Sequence, residues 1–167
     1  KINELDEYKE YISQVIQYFT PDFATKQTLE MWDNLSFDNN DIKSDYIYFV
    51  ASLFNLATIN RTIDNRLFLD TSISNREIKA TYTIISLNYD MILEKIASFL
   101  TYYFSSKEPI IFNRSEYLES ISYICPLAKL HGSVDTKDII APTSNKNIEK
   151  VFDAWKLAYK ALIQAEH

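Results

Sequence analysis

From the first residues the apolar positions fall three and four apart. Ile2, Leu5, Tyr8, Ile12, Val15, Ile16 and Phe19 make one stripe, the mark of an amphipathic helix. Thr20-Pro21-Asp22 ends it and can begin the next, because proline is tolerated in a helix's first turn. A short second helix is expected over Phe23 to Asn34. Phe37 to Ser44 is polar and rich in turn formers, so it reads as a loop. Asp45 to Asn60 is apolar almost all round, which predicts a helix buried on most faces. Arg61 to Lys79 is ambiguous: a loop, a short apolar piece at Leu67-Phe68-Leu69 and a helical turn.

The period then changes. Thr81 to Leu87 is β-branched and apolar for a strand's length, and it runs into Asn88-Tyr89-Asp90. A helix comes next, from Asp90 to about Phe104, with its stripe at Ile92, Ile96, Phe99 and Tyr103. Asp90 suits its N-cap or first turn, where a carboxylate meets free N–H groups. Ile110 to Phe112, Leu127 to Leu130 and Ile139 to Ala141 read as short strands, the last closed by Pro142. From Ser144 or Asn145 a long helix carries Ile148, Val151, Phe152, Trp155, Tyr159 and Leu162 on one side. Helices alternating with short apolar strands indicate an α/β fold around a mainly parallel sheet. Residues 1–80 form a mainly helical segment and residues 81–167 the α/β segment, together one compact unit.

Composition narrows the function classes. At 167 residues the chain is one domain or part of one. Its net charge of −6 argues against nucleic acid or an anionic membrane as the main partner, since both call for a basic footprint. No apolar run approaches the ~20 residues of a membrane-spanning helix, and no signal peptide is visible at the N-terminus. Cys125, the single cysteine, excludes an internal disulfide and a multi-cysteine zinc site; a reducing cytoplasm is the simplest home, and no metal is expected.

The single glycine is the most informative count. Average usage would give roughly a dozen in a chain this long. A glycine-rich phosphate loop needs several close together, so a diphosphate-gripping loop would lie outside these residues. The chain opens on Lys1 and stops at His167 straight after a helical run, and it reads as a fragment.

Two strands that each end in a small knot of polar groups remain as the candidate site, because ligands of α/β sheets bind beyond the carboxyl ends of the strands. The first knot is Asn88-Tyr89-Asp90 and the second His131-Gly132-Ser133. Asn88 offers an amide that can hold a water or a sugar hydroxyl at any pH. A histidine is the usual general base for taking a proton from water or hydroxyl, and His131 and His167 are the only two here. Gly132 after it implies a positive-φ turn or a ligand lying against the backbone. Structural readings stand beside these: an Asx turn capping the next helix, a packed Tyr89 ring, a structural histidine. Asp135 and Asp138 could pair, but their spacing carries little information. A serine hydrolase is weak, since no Gly-x-Ser-x-Gly elbow exists.

Ile84-Ile85-Ser86-Leu87-Asn88-Tyr89-Asp90 with Glu94 resembles the TxNYDxxxE signature of SIR2-like domains. Lys129-Leu130-His131-Gly132-Ser133 resembles their KLHGS signature, at a matching distance. Ile139 to Thr143 and the helix bearing Trp155 are similar to the segments that come next in that family, and the resemblance covers about Thr81 to His167. It is closer to the NAD-consuming domains of prokaryotic antiviral defence, Thoeris among them, than to the deacylating sirtuins, whose four-cysteine zinc ribbon is missing here.

The resemblance implies a helix-rich, incomplete Rossmann-like fold with a helical N-terminal insert. The activity it implies is cleavage of NAD+ to nicotinamide and linear or cyclic ADP-ribose. By position Asn88 and His131 are the catalytic pair, with Ser86, Asp90, Gly132 and Ser133 lining the NAD pocket. NAD+ is substrate and no metal takes part; a homo-oligomer or larger defence assembly is the implied partner. The family's opening strand with its glycine loop and its closing strand are both absent. The alternatives are a non-catalytic nucleotide-binding or assembly module and, less well matched, a protein deacylase.

Overall fold

A computed structural model describes residues 2–23, 42–56, 58–61, 67–70, 82–103, 109–114, 123–136, 138–140 and 152–165. In chain order these form α1 (Ile2–Phe19), α2 (Ile42–Leu53), β1 (Thr58–Arg61), β2 (Leu67–Asp70), β3 (Ile84–Ser86), α3 (Ile92–Tyr103), β4 (Ile111–Asn113), β5 (Ile124–Lys129) and α4 (Phe152–Ala165). The protein is mixed α/β. The helix expected over Phe23 to Asn34 falls almost wholly outside the described residues.

Helix α1 stops where the sequence says it should. Thr20 turns its N–H and its hydroxyl back onto the Ile16 carbonyl, at 2.9 and 2.6 Å, and Pro21 cannot carry the ladder on. Helix α2 departs from expectation at both ends. It begins at Ile42, inside the stretch read as loop, and ends at Leu53 rather than Asn60. Asn55 has φ 58°, the Leu56 N–H reaches the Ala51 carbonyl at 2.8 Å, and the Asn55 N–H reaches Ser52 at 3.1 Å. This is a Schellman ending, with asparagine in the left-handed position usually held by glycine. The backbone is thereby freed for β1, which pairs antiparallel with β2 from Thr58↔Asp70 to Arg61↔Leu67.

Among the described residues the second sheet has the order β3-β5-β4, all parallel. The chain leaves β3, crosses through α3 to the far edge at β4, and returns to fill the middle with β5. Ile84 pairs with Leu127 on one side of β5, and Ile111 with Ile124 on the other. Alternation along β5 sorts its side chains between two layers. Cys125 and Leu127 enter the main core with Ile96, Leu100, Phe112, Val50 and Phe54; Ala128, with Leu130 just beyond the strand, meets Leu157 and Ala158 of α4. The main core contains Phe23 and α2 as well as α3, so it runs across position 80. Phe54 meets Phe112 edge to face at 5.4 Å. Each fully buried leucine or phenylalanine here contributes about 1.5–3 kcal/mol.

Helix α4 turns an unexpected face inward. Phe152, Trp155, Tyr159 and Leu162 share a side as expected, but that side is exposed, while Leu157 and Ala158 are buried. Leu157 and Ala158 pack against Ala128 and Leu130. Ile139 and Ile140 are buried but do not form a strand; the Ile140 N–H instead donates to the His131 carbonyl at 2.9 Å. Among the described residues no helix is long and apolar enough to cross a membrane.

Candidate functional site

Parallel pairing brings the carboxyl ends of β3, β4 and β5 to one end of the sheet, and with them residues 87–90, Arg114 and residues 130–134. The first and last of these loops are tied to each other at two points. The Leu130 N–H donates to the Ser86 carbonyl and the Val134 N–H to the Tyr89 carbonyl, each at 3.0 Å. Asn88 lies between the two acceptors along the chain and His131 between the two donors. Asn88 is exposed and His131 half-buried. The rings of Tyr89 and His131 lie 6.0 Å apart, tilted by 32°.

Each remaining candidate has a local task. Ser86 Oγ accepts the Asn88 N–H at 3.1 Å and shapes the bend after β3. Asp90 Oδ1 accepts the Ile92 N–H at 3.0 Å, so it caps α3 as its position suggested. Ser133 is only 2% exposed; its N–H donates to Asp138 Oδ1 at 2.9 Å, and its Oγ lies 3.4 Å from both the Tyr89 carbonyl and Lys129 Nζ.

Gly132 takes the positive-φ turn at +86° and donates its N–H to the Lys129 carbonyl at 3.1 Å. What lies against it is the chain's own Asp138, whose carbonyl oxygen is 2.3 Å from where a Cβ would stand. The glycine therefore permits a close backbone crossing. Tyr89 is a packed ring: its hydroxyl donates to the Ile140 carbonyl at 2.9 Å, and burial pushes the phenol above its usual pKa.

Asp135 and Asp138 do not act as a pair. Asp138 holds the turn through Ser133 and Thr136, whereas Asp135 binds Arg114 at 2.8 and 3.1 Å. Burial works against the Asp135 carboxylate, but hydrogen bonding and charge from Arg114 outweigh it and hold the carboxyl below its ordinary pKa. Burial likewise opposes the Arg114 cation, and Asp135 and Glu94 more than restore it.

Arg114 carries no signal in the sequence, where it is simply an arginine after a three-residue strand. Its Nη2 meets Glu94 Oε1 at 2.5 Å, and Lys129 Nζ meets the same oxygen at 2.9 Å. Trp155, which the sequence places on the stripe of the last helix, is a second site neighbour; its indole N–H donates to the Leu130 carbonyl at 3.0 Å.

A cleft of about 200 Å³ opens beyond β4 and β5 against the first turn of α4, lined by Arg114, Lys129, Gly132, Ser133, Thr136, Asp138, Asp153 and Ala154. Of the candidates it takes in Gly132 and Ser133, and leaves out Ser86, Asn88, Asp90 and His131. Among the described residues no group of three or more His, Cys, Asp and Glu side chains is arranged to hold a metal ion. Comparison with protein-family models, with curated proteins and with solved structures finds no match.

Proposed function

We propose that this chain carries the catalytic pair of a SIR2-like NAD+ glycohydrolase of the prokaryotic antiviral-defence kind, working in the cytoplasm as part of a homo-oligomer or larger assembly. One observation carries the reading: the two signature segments lie on the carboxyl-end loops of neighbouring parallel strands, laced together on either side of Asn88 and His131. That is where an α/β sheet binds its ligands. The exposed Asn88 amide and the half-open imidazole of His131 suit groups that must reach a ribose.

In the reaction, the bond between the nicotinamide nitrogen and the ribose carbon breaks as a water oxygen bonds to that carbon. Positive charge grows on the ribose in an oxocarbenium-like transition state. Asn88 orients the water or the ribose hydroxyls, and His131 accepts the proton that the water gives up. Nicotinamide leaves as a neutral molecule and ADP-ribose remains; in a cyclising variant a group of the substrate itself takes the water's place. Positioning of the reacting groups supplies the acceleration. Asp90 sets the turn below Asn88 by capping α3, and its charge favours the cationic transition state.

A non-catalytic nucleotide-binding or assembly module is the second reading. The cleft favours it, since it is lined by Arg114, Lys129, Gly132 and Ser133 but by neither Asn88 nor His131. Nicotinamide release from NAD+, measured by chromatography with wild type, Asn88→Ala and His131→Ala, separates the two. The enzyme reading expects release by wild type and a loss of at least about 100-fold in either variant. Equal rates in all three would overturn it, and heat of ADP-ribose binding without any release would favour the module.

A further inference from the structure

We infer that Lys129 and Glu94 form one positioning unit that sets the two site loops against each other, an inference that rests on the reading of Asn88 and His131 as the reactive pair. Lys129 ends β5, two residues before His131, and Glu94 lies in the first turn of α3, four residues after Asp90. Alternation along β5 turns Lys129 to the same side as Cys125 and Leu127, where an apolar residue would ordinarily stand. Its side chain is 4% exposed, and that of Glu94 is 14% exposed. A buried ammonium is costly unless paired and hydrogen-bonded.

The pairing here reaches both loops. Lys129 Nζ meets Glu94 Oε1 at 2.9 Å, donates to the Asp90 carbonyl, and lies 3.4 Å from Ser133 Oγ. One cation thus joins the cap of α3, the residue after the His-Gly turn, and the helix that comes after Asn88. Arg114 extends the unit, bridging the same Glu94 oxygen to Asp135, two residues beyond Ser133. A plain apolar side chain at 129 would fill the space but leave the Asp90 carbonyl and Ser133 without this common donor. Lys129 also borders the cleft beside Arg114, so direct contact with an anionic ligand is the competing role.

The test uses the whole protein and two readouts. The first needs no substrate: the indole N–H signal of Trp155, which is bonded to the Leu130 carbonyl between Lys129 and His131, recorded by nitrogen-edited NMR in a Trp32→Phe background. Glu94→Gln and Lys129→Met should both displace this signal and the His131 ring signals in the same direction. The double variant should displace them no further, and Lys129→Arg should bring them back toward wild type. The second readout is NAD+ turnover. Each single variant should lose about 10–100-fold in kcat with KM within about threefold, since a misplaced catalytic pair costs rate rather than binding. The double variant should be no worse than the worse single, as expected for residues acting as a unit.

A rise in KM for Lys129→Met, with Glu94→Gln unchanged in spectrum and kcat, would overturn the proposal and make Lys129 a ligand contact. Additive losses would overturn it as well. If Lys129→Met does not fold, the near-isosteric Glu94→Gln and the Lys129→Arg variant decide by the indole signal alone. If wild type releases no nicotinamide, the enzyme reading fails by itself; a joint displacement of the signals would still support the unit, and its absence would overturn it.

Discussion

Replacing Gly132 with alanine puts the turn between the two site loops under direct test. The new Cβ would lie 2.3 Å from the Asp138 carbonyl oxygen and 2.7 Å from its carbon, roughly 1 Å inside normal carbon–oxygen contact. The nearest obstacle is backbone, so a rotamer change cannot relieve it. A residue with a Cβ at φ +86° also carries left-handed strain of about 1–2 kcal/mol. Moving Asp138 away stretches two hydrogen bonds, Ser133 N–H to Asp138 Oδ1 and Ile140 N–H to the His131 carbonyl, both 2.9 Å. Each is worth about 0.5–1.5 kcal/mol.

Restricting the unfolded chain returns roughly 0.4–1 kcal/mol. The net loss should be about 2–4 kcal/mol, or about 5–15 °C in Tm for a chain of this size. Urea unfolding monitored by circular dichroism reads it directly, with an unchanged slope showing that the unfolded state is unaltered. Because the obstacle is backbone, adding Asp138→Ala should not rescue the variant. A loss below about 1 kcal/mol, or full rescue by Asp138→Ala, would refute the reasoning.

Two further outcomes concern buried groups. Cys125 is fully buried, and burial pushes its thiol up to about 12, so native protein at pH 8 should resist thiol reagents that modify it rapidly in denaturant. The same shift makes stability complete below the ordinary thiol value of 9.0 and lost progressively as pH rises toward 12, because only the unfolded thiol ionises freely; alkaline unfolding of Cys125→Ser should lack that component. Tyr89→Phe leaves the Ile140 carbonyl without its donor and should cost about 0.5–1.5 kcal/mol in urea unfolding; no measurable change would mean that this bond does not bind the 138–140 segment to the site.

Much of this architecture is legible in the residues, and the exceptions have physical causes. The extent of α1, the stripe of α3, the β5 run and the Asp90 cap come from local spacing and capping chemistry, which need no tertiary context. The end of α2 is readable in principle, because asparagine is second only to glycine at a left-handed C′ position, yet the apolar run beyond Asn55 conceals it. Helix α4 misleads because large aromatics suggest the inward face, while contact with β5 selects the smaller Leu157 and Ala158. Ile139 and Ile140 look like a strand and are buried like one, but their backbone serves the turn after β5.

At the candidate site, the polar knots and their order stand out in the sequence. The bonds of Lys129 and Arg114 to Glu94 do not, because partners 35 and 20 positions apart share no local period. Nor does sequence separate a glycine kept for a ligand from one kept for a backbone crossing. Gly132 permits the backbone crossing at Asp138 and also lines the cleft.

The central claim is that Asn88 and His131 face one ribose, and an NMR titration of the whole protein with ADP-ribose tests it most directly. The side-chain amide of Asn88 and the imidazole of His131, distinguished from His167 by a His167→Gln variant, are tracked together. Both signals should move along a single binding curve with one Kd. Movement of one without the other, or of neither while ligand binds elsewhere, would contradict the account.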